Sequence, residues 1–172
     1  MRRLSLFAAL WLGCSAGSGG SSTLTGPDAF PVAYTALIVT TTDGGFGGFI
    51  GGLAETDLSP DFVASAVCSR TNRLTTSVNT RVVSLALSTV GSSPPPLQLG
   101  MAYPTSNIYL DELYADGGSE QLAGQGNGSG SITFTALSTS AVSGSFSSSL
   151  TEEDGGQVML GGTFSAAPIV CN

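Results

Sequence analysis

Beyond residue 30 the chain alternates apolar and polar positions in short runs, separated by clusters of Gly, Ser, Pro and Asp. A period of two places successive side chains on opposite sides of an extended backbone, so each run reads as a strand with one buried and one wetted face. Ala33 to Thr42 (AYTALIVTTT) is the first such strand, followed by a turn at Asp43-Gly44-Gly45. A second lies within Phe46 to Glu55, where repeated glycine leaves the register open. Arg81 to Val90 puts Val83, Leu85 and Leu87 on one face. It ends at Gly91 to Pro96, because proline has no amide hydrogen for a ladder. Leu97 to Tyr103 and Ile108 to Tyr114 are further strands, and Gly117 to Gly130 is a loop by composition.

Asp61 to Ser69 (DFVASAVCS) lacks alternation and follows Ser59-Pro60, which predicts one short helix near residues 60–69 with Pro60 in its first turn. The last third is clearest. Ser131 to Leu137, Ala141 to Leu150 and Gln157 to Phe164 alternate apolar with small polar residues, and Thr151 to Gly156 (TEEDGG) has hairpin chemistry. Three adjacent antiparallel strands with one wet, serine-rich face follow. The whole pattern predicts an all-β domain over residues 30–172, an antiparallel β-sandwich or flattened barrel.

The beginning of the chain is organised differently. Met1-Arg2-Arg3 precedes a nine-residue run, Leu4 to Leu12, in which only Ser5 is polar. Spanning a bilayer takes about 20 apolar residues. A shorter run behind basic residues has the form of a secretory signal. Residues 1–13 are therefore read as a signal peptide and residues 14–29, rich in Gly and Ser, as a flexible tether. Leu12-Gly13-Cys14 resembles the lipobox of bacterial lipoproteins, although Trp11 stands where that family prefers Leu. The resemblance implies a lipid on Cys14 and a mature chain beginning there, with Ser15 similar to the outer-membrane sorting class. The alternative is cleavage near Ala16, which releases a soluble protein.

Composition narrows the partners. Without residues 1–13, three arginines face twelve acids, a net charge of −9, and the sequence contains no lysine or histidine. Phosphate backbones and anionic lipid surfaces are bound through clustered cations, so nucleic acid is excluded as a partner and the membrane is reached only through a lipid anchor. If Cys14 carries lipid, Cys68 and Cys171 remain as one pair in an oxidising compartment, which points to a disulfide.

A second resemblance rests on Gly130-Ser131-Ile132-Thr133-Phe134-Thr135, Val142-Ser143-Gly144-Ser145-Phe146 and Leu160-Gly161-Gly162-Thr163-Phe164-Ser165-Ala166 closing on Cys171. With Pro60-Asp61 ahead of Cys68, and Gly100-Met101-Ala102-Tyr103, these resemble uncharacterised bacterial surface lipoproteins of myxobacterial type. The resemblance spans most of Phe30 to Asn172 and implies a lipid-anchored β domain with a Cys68–Cys171 bridge. It implies no activity.

Without histidine or lysine, Ser-His-Asp, Cys-His and lysine-activated nucleophiles are impossible. The glycines from Gly44 to Gly52 do not match a dinucleotide fingerprint. Carboxylate pairs remain for a glycosidase-like reaction: Glu55 with Asp57 or Asp61, Asp111 with Glu112, or Glu152, Glu153 and Asp154. The bland reading is solvated acids beside turns. Glu152 to Gly156, and Asp111-Glu112 with Asp116-Gly117, are the places for calcium, though neither matches a known loop spacing. Tyr103, Tyr109 and Tyr114 invite ligand stacking, but Tyr109 and Tyr114 fall on opposite sides of a regular strand, so core packing or surface coverage is the simpler role. Arg70, Arg73 and Arg81 are read as neutralising nearby acids. The sequence thus predicts a non-enzymatic envelope lipoprotein of structural or binding type, needing no cofactor and meeting an envelope protein or polysaccharide. A calcium-dependent adhesion or glycan-binding module and a carboxylate-dependent hydrolase are the alternatives.

Overall fold

A computed structural model describes residues 21–42, 45–56, 78–87, 96–105, 107–116, 118–124 and 130–171. Cys14, Cys68 and the helix expected near residues 60–69 lie outside the described residues. Those described form strands β1 (Thr23–Thr25), β2 (Tyr34–Thr42), β3 (Gly45–Ala54), β4 (Thr80–Leu87), β5 (Ala102–Thr105), β6 (Asn107–Leu113), β7 (Ser119–Gly124), β8 (Gly130–Leu137), β9 (Val142–Glu152), β10 (Gln157–Ala166) and β11 (Ile169–Cys171), with no helix among them.

All of these strands share one hydrogen-bonded network, in which β9 is the branch point. One edge of β9 pairs with β10 along its length. The other pairs with β8 from Val142 to Ser148, and then with β7 at Thr151 and Glu152. The network therefore divides into a first sheet, β1-β10-β9-β8-β5, and a second, β11-β2-β3-β4-β6-β7. It is not closed into a barrel, and the architecture is the expected all-β sandwich. Pairing is antiparallel except at β11, which follows β10 through Ala167-Pro168 and runs parallel to β2.

Alternation explains which side chains meet between the sheets. Leu37 and Val39 of β2, Phe49 and Leu53 of β3, Val83, Leu85 and Leu87 of β4, and Ile108 and Leu110 of β6 face Ile132 and Phe134 of β8, Val142, Phe146 and Leu150 of β9, and Leu160 and Phe164 of β10 in one buried cluster. At its centre the Phe49 ring from the second sheet lies 5.1 Å from Phe134, edge to face, and 5.2 Å from Phe164, stacked. Gly144, opposite Phe134 and Phe164 on the neighbouring strands, leaves room for those rings. A Cβ there would come within 2.6 Å of the Phe164 ring.

Several expectations need correction. The strand expected over Leu97 to Tyr103 is shifted to β5, because Gly100 adopts φ +73° and turns the chain, leaving Leu99 in an isolated bridge to Phe134. The loop expected over Gly117 to Gly130 contains β7, which pairs with β6 across a bulge and buries Ala123. Within the stretch read as a tether, β1 adds to the edge of β10 and Leu24 packs against the core. The three C-terminal strands are adjacent and antiparallel as expected, and the Thr151 to Gly156 connection is a hairpin turn with Gly155 at φ +87°.

Candidate functional site

The wet face expected of the C-terminal strands is the outer face of the first sheet. Register places Thr23, Thr163, Ser145 and Thr133 side by side across β1, β10, β9 and β8, with Thr25, Gly161, Ser147 and Ser131 in the next row. Ser165 and Ser143 continue the pattern on one side, Met159 and Ser149 on the other. Strands lie about 4.8 Å apart and same-face residues about 7 Å apart along a strand, so the hydroxyls form a regular grid. Neighbours are close enough to bond: Thr23 Oγ1 and Thr163 Oγ1 are 2.9 Å apart, and Thr135 Oγ1 and Ser143 Oγ 3.0 Å. No outward position of β1, β8, β9 or β10 carries an ionisable side chain. A neutral surface of this kind can exchange hydrogen bonds with polar partners, but it contains nothing that could act as a general base.

The described ionisable groups lie instead around the second sheet and at the hairpin turn between β9 and β10. The Arg81 guanidinium donates from Nε to Glu55 Oε2 at 2.9 Å and from Nη2 to Glu55 Oε1 at 2.8 Å, and lies 4.9 Å from the Phe30 ring centre. This paired hydrogen bonding holds the Glu55 carboxyl below its ordinary range and the Arg81 guanidinium above its own. Asp28 and Glu112 add to the negative field at Arg81. Asp57 and Asp61, the other acids expected near Glu55, lie outside the described residues.

Asp111 and Glu112 are consecutive on β6 and so point to opposite sides, which removes them as a facing pair. Asp111 is half-buried, and burial pushes its carboxyl above the usual range while a hydrogen bond from Ser84 Oγ at 3.2 Å opposes the shift. Asp154 and Asp116 close their own turns, each accepting from the amide two residues on, Gly156 at 2.8 Å and Gly118 at 2.9 Å. Among the described residues no group of three acids or cysteines is placed to hold a metal ion.

The tyrosines do not converge. Tyr103 packs against Phe134 and its hydroxyl accepts from the Gln98 amide at 2.6 Å. The Tyr109 hydroxyl donates to Asn107 Oδ1 at 3.3 Å. Tyr114 donates to Glu120, a bond that helps push its phenol up to about 12. Sequence reasoning missed the polar group of Ser84, Tyr109, Asp111 and Gln121 on the outer face of the second sheet, because placing Gln121 there requires β7. The backbone of Cys171 ends β11 beside Thr40.

No protein-family model matches this chain, and neither a curated protein nor a solved structure shows significant similarity to it.

Proposed function

We propose that the chain is an exported, non-catalytic lipoprotein whose sandwich binds a neutral, polyhydroxylated envelope component through the outer face of its first sheet. The observation that carries this reading is the grid of Ser and Thr hydroxyls across β1, β10, β9 and β8, which spans four strands and is free of charge. Hydroxyls both donate and accept, as sugar hydroxyls do, so they can replace the hydrogen bonds a neutral polymer loses to water, and no charge on the face has to be desolvated. Export and anchoring are supported by the n-region Met1-Arg2-Arg3, the apolar run Leu4 to Leu12 and the lipobox-like Cys14. Cys68 and Cys171 are assigned to a disulfide, the state an oxidising compartment favours. The proposed location is the outer membrane or cell surface, in the manner of the lipoproteins the sequence resembles.

The test uses the mature protein without lipid (Cys14→Ser) and insoluble envelope polysaccharide from the host. Thr163→Asp and Ser145→Asp place charge on exposed positions of the grid. They should reduce sedimentation with polysaccharide about tenfold, leave the melting temperature within about 2 °C, and give no turnover on glycoside or peptide substrates. Undiminished binding in both variants removes the hydroxyl face from the account. Measurable turnover removes the non-catalytic assignment.

A further inference from the structure

The described chain begins at one end of the first sheet, and that end differs from the other in charge and in apolar exposure. Ser22 Oγ accepts from the Ser165 amide of β10, Ser165 pairs with Ser143 of β9, and Ser143 pairs with Ala136 of β8. Phe134, two residues before Ala136, accepts from the Gly100 amide at 2.9 Å and bridges to Leu99. The first described residues and the segment ahead of β5 therefore share one end of the sheet, four strand spacings or about 19 Å apart. At that end Leu99 is 61% and Met101 47% exposed. They lie two residues apart, beside Gln98 and Ala102, which are also exposed. The other exposed large apolar side chains among the described residues, Ile50, Val78 and Met159, stand singly on β3, ahead of β4 and on β10. Single apolar residues on a surface are ordinary, whereas a neighbouring pair calls for a partner.

Charge follows the opposite distribution. Ser21, Ser22, the stretch from Ser165 to Pro168, the connection from Ala136 to Val142 and the stretch from Gln98 to Ala102 contain no ionisable side chain. The other end of the same sheet is the turn after β9, with Glu152, Glu153 and Asp154. β9 runs between the two ends, a length of about 33 Å. That separation is several Debye lengths in physiological salt, so these acids do not oppose the approach of the Ser22 end to a negatively charged leaflet. Covalent geometry limits the distance from Cys14 to Ser21 to about 25 Å at full extension, and a flexible chain of that length averages about 15 Å. Both are shorter than β9, so a lipid on Cys14 would hold the uncharged end, and not the acidic one, beside the bilayer.

We propose that this end of the first sheet rests on the lipid bilayer through Leu99 and Met101. The contact rests on the anchoring at Cys14 proposed above and adds to it a second, weaker attachment that sets orientation. Apolar side chains enter the boundary between headgroups and acyl chains without needing cations, and the unbranched methionine adapts to an irregular apolar surface. A protein partner would require a far larger area than two side chains offer. A bilayer already held within reach does not, because the anchor makes the second contact intramolecular. The strands of the first sheet then rise from the membrane, and the Ser and Thr face is turned sideways toward the envelope.

The mature chain contains no tryptophan, since Trp11 precedes Cys14, so a single introduced indole reports its own surroundings. Leu99→Trp, Met101→Trp and, at the far turn, Glu153→Trp are made as the lipidated mature protein and reconstituted into phosphatidylcholine vesicles with brominated acyl chains. Intact mass establishes the lipid on Cys14 in each. Indole quenching at positions 99 and 101 should exceed that at 153 by about threefold or more. Thr139→Trp, in the exposed turn between β8 and β9 at the same end, is a probe that leaves the apolar pair intact. Adding Leu99→Asp with Met101→Asp should lower its quenching by about twofold or more, which proximity through the anchor alone would not do. A protein without lipid on Cys14 overturns the anchoring and this proposal with it. A lipidated protein quenched equally at 101 and 153, or a probe at 139 indifferent to the double substitution, overturns the proposal and leaves the anchoring standing. Emission from position 101 that is already blue-shifted in the soluble Cys14→Ser protein without vesicles assigns the pair to a second copy and also overturns it.

Discussion

Phe49 touches two aromatic rings from the opposing sheet, and Phe134 meets Phe49, Phe164 and Tyr103. Truncation of such a residue removes its own burial and leaves a cavity that rigid neighbours cannot fill. Phe134→Ala should therefore cost about 3–5 kcal/mol in denaturant unfolding, against less than about 0.5 kcal/mol for Thr163→Ala on the exposed grid. The two perturbed carboxyls should act on stability in opposite directions. Glu55 is held low by Arg81, so its contribution is present above the unfolded carboxyl range and is lost as pH falls through the folded value. With both side chains about a third exposed, that contribution is small. Asp111 is held high by burial, so the folded state retains its proton more tightly than the unfolded chain does. Its ionisation therefore removes stability as pH rises from the ordinary carboxyl range through the folded value. Asp111→Asn, which keeps an acceptor for Ser84, should raise stability at pH 7 and lose that advantage below about pH 4, as read by thermal melts across pH.

Among the elements, β9 is the most demanding because it serves both sheets. Gly144→Ala would press a methyl group against the Thr133 carbonyl and the Phe164 ring. It should destabilise by about 1–3 kcal/mol and increase amide exchange in β8, which pairs at that point, more than in β2. Elements of this kind were legible because Val142, Phe146 and Leu150 fall on one face of Ala141 to Leu150 and small polar residues on the other, which left a single choice of face. Of the strand expected over Arg81 to Val90, the part through Leu87 was legible for the same reason, as Val83, Leu85 and Leu87 all reach the core, while residues 88–90 lie outside the described residues. The strand β7 was not legible, since Ser119-Glu120-Gln121 is exposed and only its last residues pack inward. Its existence depends on β6 beside it, a tertiary cause that no local pattern records. β1 escaped notice similarly: three residues with a single apolar side chain become a strand only because β10 offers an edge. The grid of hydroxyls was readable as a serine-rich face, whereas its extension onto β1 was not.

For the molecule as a whole, a bridge between Cys68 and Cys171 would close a loop of about 100 residues, for which the chain-entropy model gives roughly 4.7 kcal/mol of stabilisation before any strain is subtracted. The oxidised mature protein should lose a few kcal/mol of unfolding free energy on reduction, and intact mass should rise by about 2 Da. Equal stability with and without reductant would exclude the bridge. Cys14→Ser should move the protein from the membrane fraction to the soluble one without changing its melting curve. The entry of the chain into the domain would have a mechanical consequence if Cys14 carries the proposed lipid. Ser22 Oγ accepts from the Ser165 amide of β10 at 3.1 Å and from Thr35 Oγ1 of β2 at 2.7 Å, one contact in each sheet. Under the proposed anchoring through Cys14, a pull entering at Ser22 would be shared between both halves of the sandwich and would load the body as one piece before it could peel away an edge.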